Sequence, residues 1–235
     1  KRGSSSAGFD KYSLSLEAQD ENKEDQAIAP LGMPSESDWV LSGRYTFDRA
    51  LMRNPLIYQL SNETGEYAVR TRFVEVFLNT GGGNLSYAGD YFGVYALMEK
   101  IKRDKDRIDV AKISVGDTAE PEVGGGYLFK KDRLDPGDGG FSVNRMGTFG
   151  WVEPKEEDVA PAQETWLRNY LNEADSALYS SDWTNPTTGK HFTDYLDSFS
   201  WLRHHWLNTL AMNVDGFRLS GYYYKHRDPT NGGKI

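Results

Sequence analysis

The sequence predicts an α+β protein in two lobes, a small sheet carrying one helix followed by a more helical part. Three observations predict it. Residues 71–79 and 90–101 alternate apolar and polar side chains on either side of a glycine-rich stretch, the pattern of a hairpin. Two later segments, 158–180 and 197–213, carry apolar residues at three- and four-residue steps, the pattern of helices. Residues 197–225 then run from helix through a short acidic loop straight into an aromatic strand.

At 235 residues the chain can bury a substantial core. Its 27 basic against 35 acidic residues, a net of −8, are spread along the sequence, which argues against a general nucleic-acid binder. No run of 18 apolar residues exists, so no membrane-spanning helix is expected. The absence of cysteine excludes disulfides, thiolate metal sites and a cysteine nucleophile. A chain opening on KRGSSS and closing on GGKI reads as cut from something longer, truncated at both ends.

In order, a Gly/Ser-rich turn precedes Tyr12, Leu14 and Leu16, whose alternation predicts a strand. Backbone amides in such a turn could cradle phosphates, with Lys11 pairing to them; a terminus with a surface lysine is the plainer reading. Residues 19–37 read as a connecting loop. A helix follows, with Thr46 or Asp48 as N-cap, Leu51, Leu56 and Leu60 as apolar positions and Gly65 as its stop. Pro55 should kink that helix or mark its true first turn. After the hairpin, Glu99 and Lys100 fall where the second strand runs out, and the mixed charge run KIKRDKDRIDVAK is expected to form a solvated face. A glycine-led strand is predicted within 124–134, a turn at 135–140, and a short strand within 141–157. Pro161 suits the first turn of the next helix, with Trp166, Tyr170, Ala174 and Leu178 at four-residue steps.

In the last segment, Phe199, Leu202, Trp206 and Leu210 predict a helical stripe facing a core, with the helix ending near Asn213 and a strand from Tyr222. Between them lies Asp215. An ordinary N-D-G type turn accounts for that residue type. Ser220, five positions later, supplies a second reading: an Asp followed at that distance by an oxygen ligand is the spacing of a protein-kinase catalytic loop. The element order is also that of the kinase fold. In it Lys11 would sit on the lysine strand, residues 46–60 would form the paired helix, and Glu99–Ile101 the hinge between lobes spanning 1–101 and 102–235.

Several segments together resemble the spore-coat protein H (CotH) kinase family of atypical secretory-type kinases. They are KRGSSS, FDKYSLSLE, DWVLSGRYTFDRALMRNPL, RTRFVEVFLN, YFGVYALMEKIKRDKDRI, GGYLFKKDR and NVDGFRLSGYYYKHRD, in the family's order and nearly end to end. The resemblance implies a single domain over 1–235 that transfers phosphoryl from ATP to Ser or Thr of surface or exported proteins, with Mg2+ or Mn2+, in an extracytoplasmic or cell-surface setting. It implies that Asp215 is the catalytic aspartate and Ser220 the metal-binding position, and that Lys11 pairs with phosphate. Arg2 and Gly3 would belong to the nucleotide-side loop, and Glu99 would match the hinge-side acidic position. Arg53 matches the L-M-R-N arginine, without an assigned role.

Three departures stand against activity. Ser220 offers a hydroxyl where the family often has an Asn carbonyl. Thr209 stands where relatives commonly have Glu. Relatives continue past the G-K-I strand into a W-D segment whose aspartate binds metal, and this sequence ends at Ile235. The alternative is therefore an inactive pseudokinase or a structural or binding protein. A third class, a carbohydrate-binding module, draws on the 14 Tyr and 6 Trp residues, although aromatic residues are more often core. His191, His204, His205 and His226 are read as structural or surface residues, because the adjacent His204 and His205 lack the i, i+4 spacing of a metal pair.

Overall fold

A computed structural model describes every residue except 1–7, 44, 45, 47, 135–137 and 229. It is α+β, with two antiparallel sheets and four helices, and the chain divides into two compact units, Lys1–Ile101 and Lys102–Ile235.

The first unit holds strands β1 (Leu14–Glu17), β2 (Asp38–Ser42), β3 (Thr71–Phe77) and β4 (Tyr91–Glu99), in the order β1-β2-β4-β3. The expected hairpin is present: β3 and β4 pair from Thr71↔Met98 to Phe77↔Tyr91, and the Leu78 amide extends the ladder into the connecting loop on the Asp90 carbonyl. At the tip, the Ser86 hydroxyl accepts from the Gly89 amide and caps the single-turn helix α2 (Tyr87–Asp90). Sequence reading misses β2, whose Trp39-Val40-Leu41 run is too short to show a period, yet it pairs with both β1 and β4.

Alternation assigns the two faces of this sheet. Trp39, Leu41, Tyr95 and Leu97 pack with Met33 on one side. Val40, Ala96 and Met98 pack with Val69 on the other, against Tyr58 of helix α1 (Arg53–Glu63). The helix starts later than the Thr46 or Asp48 expectation. Its N-cap is Met52, not Thr46 or Asp48, although Oδ2 of Asp48 accepts from the Arg53 amide at 2.7 Å, and Pro55 sits in the first turn, where its missing N–H costs nothing. Gly65 follows the C-cap with φ +89°, the left-handed stop that glycine takes without strain.

The second unit holds β5 (Tyr127–Lys131), β6 (Gly140–Val143), β7 (Gly147–Glu153) and β8 (Gly221–Lys225), in the order β6-β7-β5-β8. The region expected to give one short strand gives two, β6 and β7, paired around Asn144–Met146. Phe129, Phe141, Phe149 and Trp151 line the core face of this sheet. Helix α3 (Pro161–Leu178) packs there through Leu167, Leu171, Ala174 and Ala177. Trp166, Tyr170 and Leu178, expected as its apolar stripe, flank that line partly buried.

Helix α4 (Ser198–Leu210) corrects the expectation placed on it. Asp197 caps it through the amides of Phe199 and Ser200 at 3.1 and 3.3 Å. Phe199, Leu202, Trp206 and Leu210, expected to face a core, are instead 71, 50, 62 and 71% exposed. The helix packs by its other side. Trp201 stacks on Tyr223 with ring centroids 5.1 Å apart and donates to the Ile235 carbonyl, and Asn208 is the buried residue. Periodicity shows that a helix has an apolar stripe; it does not show that the stripe is covered.

Candidate functional site

The candidate site of the second unit is the loop that joins α4 to β8. The helix stops at Leu210, three residues earlier than expected, and Met212 takes a left-handed φ of 49°. The Asn213 amide then turns back to the Asn208 carbonyl at 2.9 Å. Val214–Phe217 form a 3-10 turn, and the Asp215 carbonyl accepts from the amides of Arg218 and Leu219 at 3.0 and 2.7 Å. Ser220, at φ 58°, delivers the chain into β8. Two non-glycine residues in the left-handed region thus bracket the loop, a conformation that persists only where the surroundings hold it.

Asp215 and Ser220 lie on this loop, and both are exposed. Oδ1 of Asp215 accepts from Nη2 of Arg218 at 3.1 Å. Both side chains of that pair stand mostly in water, so the attraction is weak and the carboxylate owes its place to the backbone. Beneath the turn, the Asn213 side-chain amide donates to Oδ1 of Asn208 at 2.9 Å, and Nδ2 of Asn208 donates to the His204 carbonyl at 2.9 Å. A Cβ at buried Gly216 would overlap Oδ1 of Asn208, so glycine is what lets the turn close over that amide.

His204, expected to be structural or on the surface, takes part in this arrangement. Its Nε2 lies 3.2 Å from Nδ2 of Asn208 and its ring bonds the Gly216 backbone. Burial pushes its pKa below the usual histidine value, neighbouring His205 pushes the same way, and the Gly216 bond opposes them. No period or motif marks Asn208 or His204 as part of the site, because their roles come from contacts across the turn.

At the far end of β8, Lys225 is 1% exposed. Its ammonium donates to the carbonyls of Gly124 and His226, both at 2.8 Å, and lies 5.2 and 4.6 Å from the ring centroids of Trp166 and Tyr170. Burial pulls its pKa down to about 8.

In the first unit, Lys11 precedes β1 rather than lying on it, so the expectation that placed it on a strand is corrected. Its Nζ stands 4.9 Å from the Tyr95 ring centroid, above Gly93, where a Cβ would come within 3.5 Å of the nitrogen. Burial lowers its pKa. Glu99 ends β4 with a buried carboxylate, taken up by Arg70 and by the Tyr67 hydroxyl at 3.0 Å. Its visible task is to fix the end of the strand. Arg53 opens α1, and Arg2 and Gly3 lie outside the described residues.

A protein-family model described as CotH kinase protein matches residues 1–234. The chain belongs to the CotH kinase family. Searches of curated proteins and of solved structures found no match. As a member, this CotH-family chain is kinase-like, and its two antiparallel sheets and four helices are consistent with a two-lobe kinase-like arrangement. Among the described residues no helix is long and apolar enough to cross a membrane, and no group of three or more His, Cys, Asp or Glu is placed to hold a metal ion.

Proposed function

We propose that this CotH-family chain is an ATP-dependent protein kinase that moves the γ-phosphoryl group to a Ser or Thr hydroxyl of a surface or exported protein. The observation that carries the reading is the Asp215 carboxylate, exposed on a turn fixed between α4 and β8 in a chain of a kinase-like family.

The residues then divide the work. Asp215 orients the substrate hydroxyl and takes its proton as that oxygen bonds to phosphorus and the bond to the departing ADP oxygen breaks. Lys11 pairs with phosphate charge, and its partial burial strengthens such a pairing by limiting water. Arg2 and Gly3 complete the nucleotide side, and Glu99 supports it from the end of β4. Mg2+ or Mn2+ suits oxygen donors and takes much of its shell from phosphates and water, so the Ser220 hydroxyl fits as one ligand. Such an ion, when bound, neutralises charge on the phosphates.

A second reading, a pseudokinase or surface-binding protein, draws on the Arg218 contact to Asp215, the hydroxyl of Ser220 in place of an amide, and Thr209 in place of Glu. Thermal melting with ATP and Mg2+ or Mn2+, together with transfer of labelled γ-phosphate to casein, separates the two. The kinase reading expects a metal-dependent rise in melting temperature, because a ligand of the native state stabilises it. It also expects transfer that falls by about a hundredfold or more in Asp215→Asn. A rise without transfer selects the pseudokinase. No rise removes the nucleotide from the account.

A further inference from the structure

The turn that carries Asp215 is held from one side by side chains with no part in phosphoryl chemistry. Asn208 is 9% exposed, and its amide is shared in two directions: Oδ1 accepts from Asn213 Nδ2 at 2.9 Å, and Nδ2 donates to the His204 carbonyl at 2.9 Å. The Asn208 carbonyl takes the Asn213 amide at 2.9 Å, and the Asn213 carbonyl takes the Gly216 amide at 3.1 Å. His204 adds its own bond to the Gly216 backbone and sets Nε2 3.2 Å from the Asn208 amide nitrogen. Two hydrogen-bonded paths from the body of α4 to Gly216, the residue after Asp215, thus run through Asn208 and His204.

We infer that Asn208 and His204 are positioning residues, locking the Asn213–Gly216 turn so that the Asp215 carboxylate stands at a fixed place above the end of α4. Two features support the lock over incidental packing. Gly216 is buried where any side chain would strike Oδ1 of Asn208, so the turn and the amide are fitted to each other. An amide nitrogen pointed at Nε2 requires that nitrogen to be unprotonated, and burial, which lowers the His204 pKa, favours the same neutral form. The groups facing the ring include His205 along the helix, Tyr223 of β8 with its centroid 6.3 Å away, Asn208 and the Gly216 backbone; of these the Gly216 bond favours the charged form, and none is a carboxylate. The catalytic consequence rests on the phosphotransferase reading. The lock itself does not.

The test compares wild type with Asn208→Ala, Asn213→Ala and Asn208→Asp. Amide hydrogen exchange is read at Gly216, Arg218 and Leu219, and the His204 ring is titrated by NMR. Both alanine variants are expected to speed exchange at those three amides by about tenfold or more, with α3 amides unchanged, since local opening is what the lock prevents. Asn213→Ala leaves α4 intact and guards against misfolding of the Asn208 variant. Asn208→Asp keeps an acceptor for Asn213 and places negative charge beside the ring, so the His204 pKa should rise. In the labelled-phosphate assay both alanine variants should lose about tenfold to a hundredfold in kcat, with KM for ATP within about twofold. Unchanged exchange in both alanine variants overturns the lock. Faster exchange with unchanged kcat overturns the positioning role. A wild-type protein without transfer removes the kinase reading alone, and exchange still decides the lock.

Discussion

The Glu99 carboxylate holds the side chain and the main chain of Arg70 at once. Nη2 and Nε of Arg70 stand 2.7 and 2.9 Å from Oε1, and the Arg70 amide nitrogen stands 2.8 Å from Oε2. One acidic side chain at the end of β4 therefore fixes the residue that leads into β3, and clamps the open end of the hairpin.

Arg70→Ala should take two guanidinium donors away from a buried carboxylate. The expected cost is roughly 2–3 kcal/mol, below that of a wholly buried pair because water reaches Arg70. Urea unfolding measures it. A loss under about 0.5 kcal/mol, the level of an ordinary surface change, would show the clamp to be idle.

Lys225 makes stability depend on alkaline pH. Its native pKa of about 8 lies below the ordinary 10.5, so between those values the native protein has released a proton that the unfolded chain retains. The unfolded state binds more protons there, and stability rises with pH, by at most about 1.4 kcal/mol per unit. Buried Tyr127 and Tyr170, whose pKa values are raised, act in the opposite sense once tyrosine ionises in the unfolded chain near pH 10, so the comparison belongs between about pH 8 and 9.5. Lys225→Met should flatten the rise in that interval. An equal slope in both proteins would remove Lys225 as its source.

Helices α3 and α4 should respond oppositely to loss of an apolar side chain. Leu167 of α3 has no exposed surface, and Leu167→Ala is expected to cost about 2–5 kcal/mol. Leu210 of α4 is 71% exposed, and Leu210→Ala should stay within about 0.5 kcal/mol. Chemical denaturation of the pair checks this, and a large loss at Leu210 would mean that its stripe is covered in solution.

Gly125→Ala would drive a Cβ into the backbone of His226 and Arg227, which no side-chain rotation can relieve. A loss of about 3 kcal/mol is expected, with exchange at the end of β8 rising, since overpacking against main chain moves the strand itself. A melting temperature equal to wild type would show that the two segments separate freely.

Much of the fold was legible. The β3–β4 hairpin and α3 carry long periodic patterns, and Pro55, Pro161 and Gly65 stand where their backbone restrictions place them. Strand β2 was not legible, because three consecutive apolar residues have no period. The covered side of α4 was misread because, beside Trp201, its contacts use His204 and Asn208, residues that a hydrophobic pattern discounts. At the candidate site, spacing locates Asp215 and Ser220 on one loop between helix and strand. The network under that loop was invisible, since asparagine marks turns everywhere in sequence and only tertiary contacts show which one is buried.

The strand order of the second sheet has a kinetic meaning. Among the described residues strand β8 lies at the sheet edge beside β5, and the Lys225 contact to Gly124 spans 101 residues of chain. Closing so long a loop is slow compared with forming α3 or the β6–β7 hairpin, whose partners are local. The Asp215 loop, held at once by local bonds to α4, therefore gains its second anchor on β8 only after the rest of its unit has a sheet to offer.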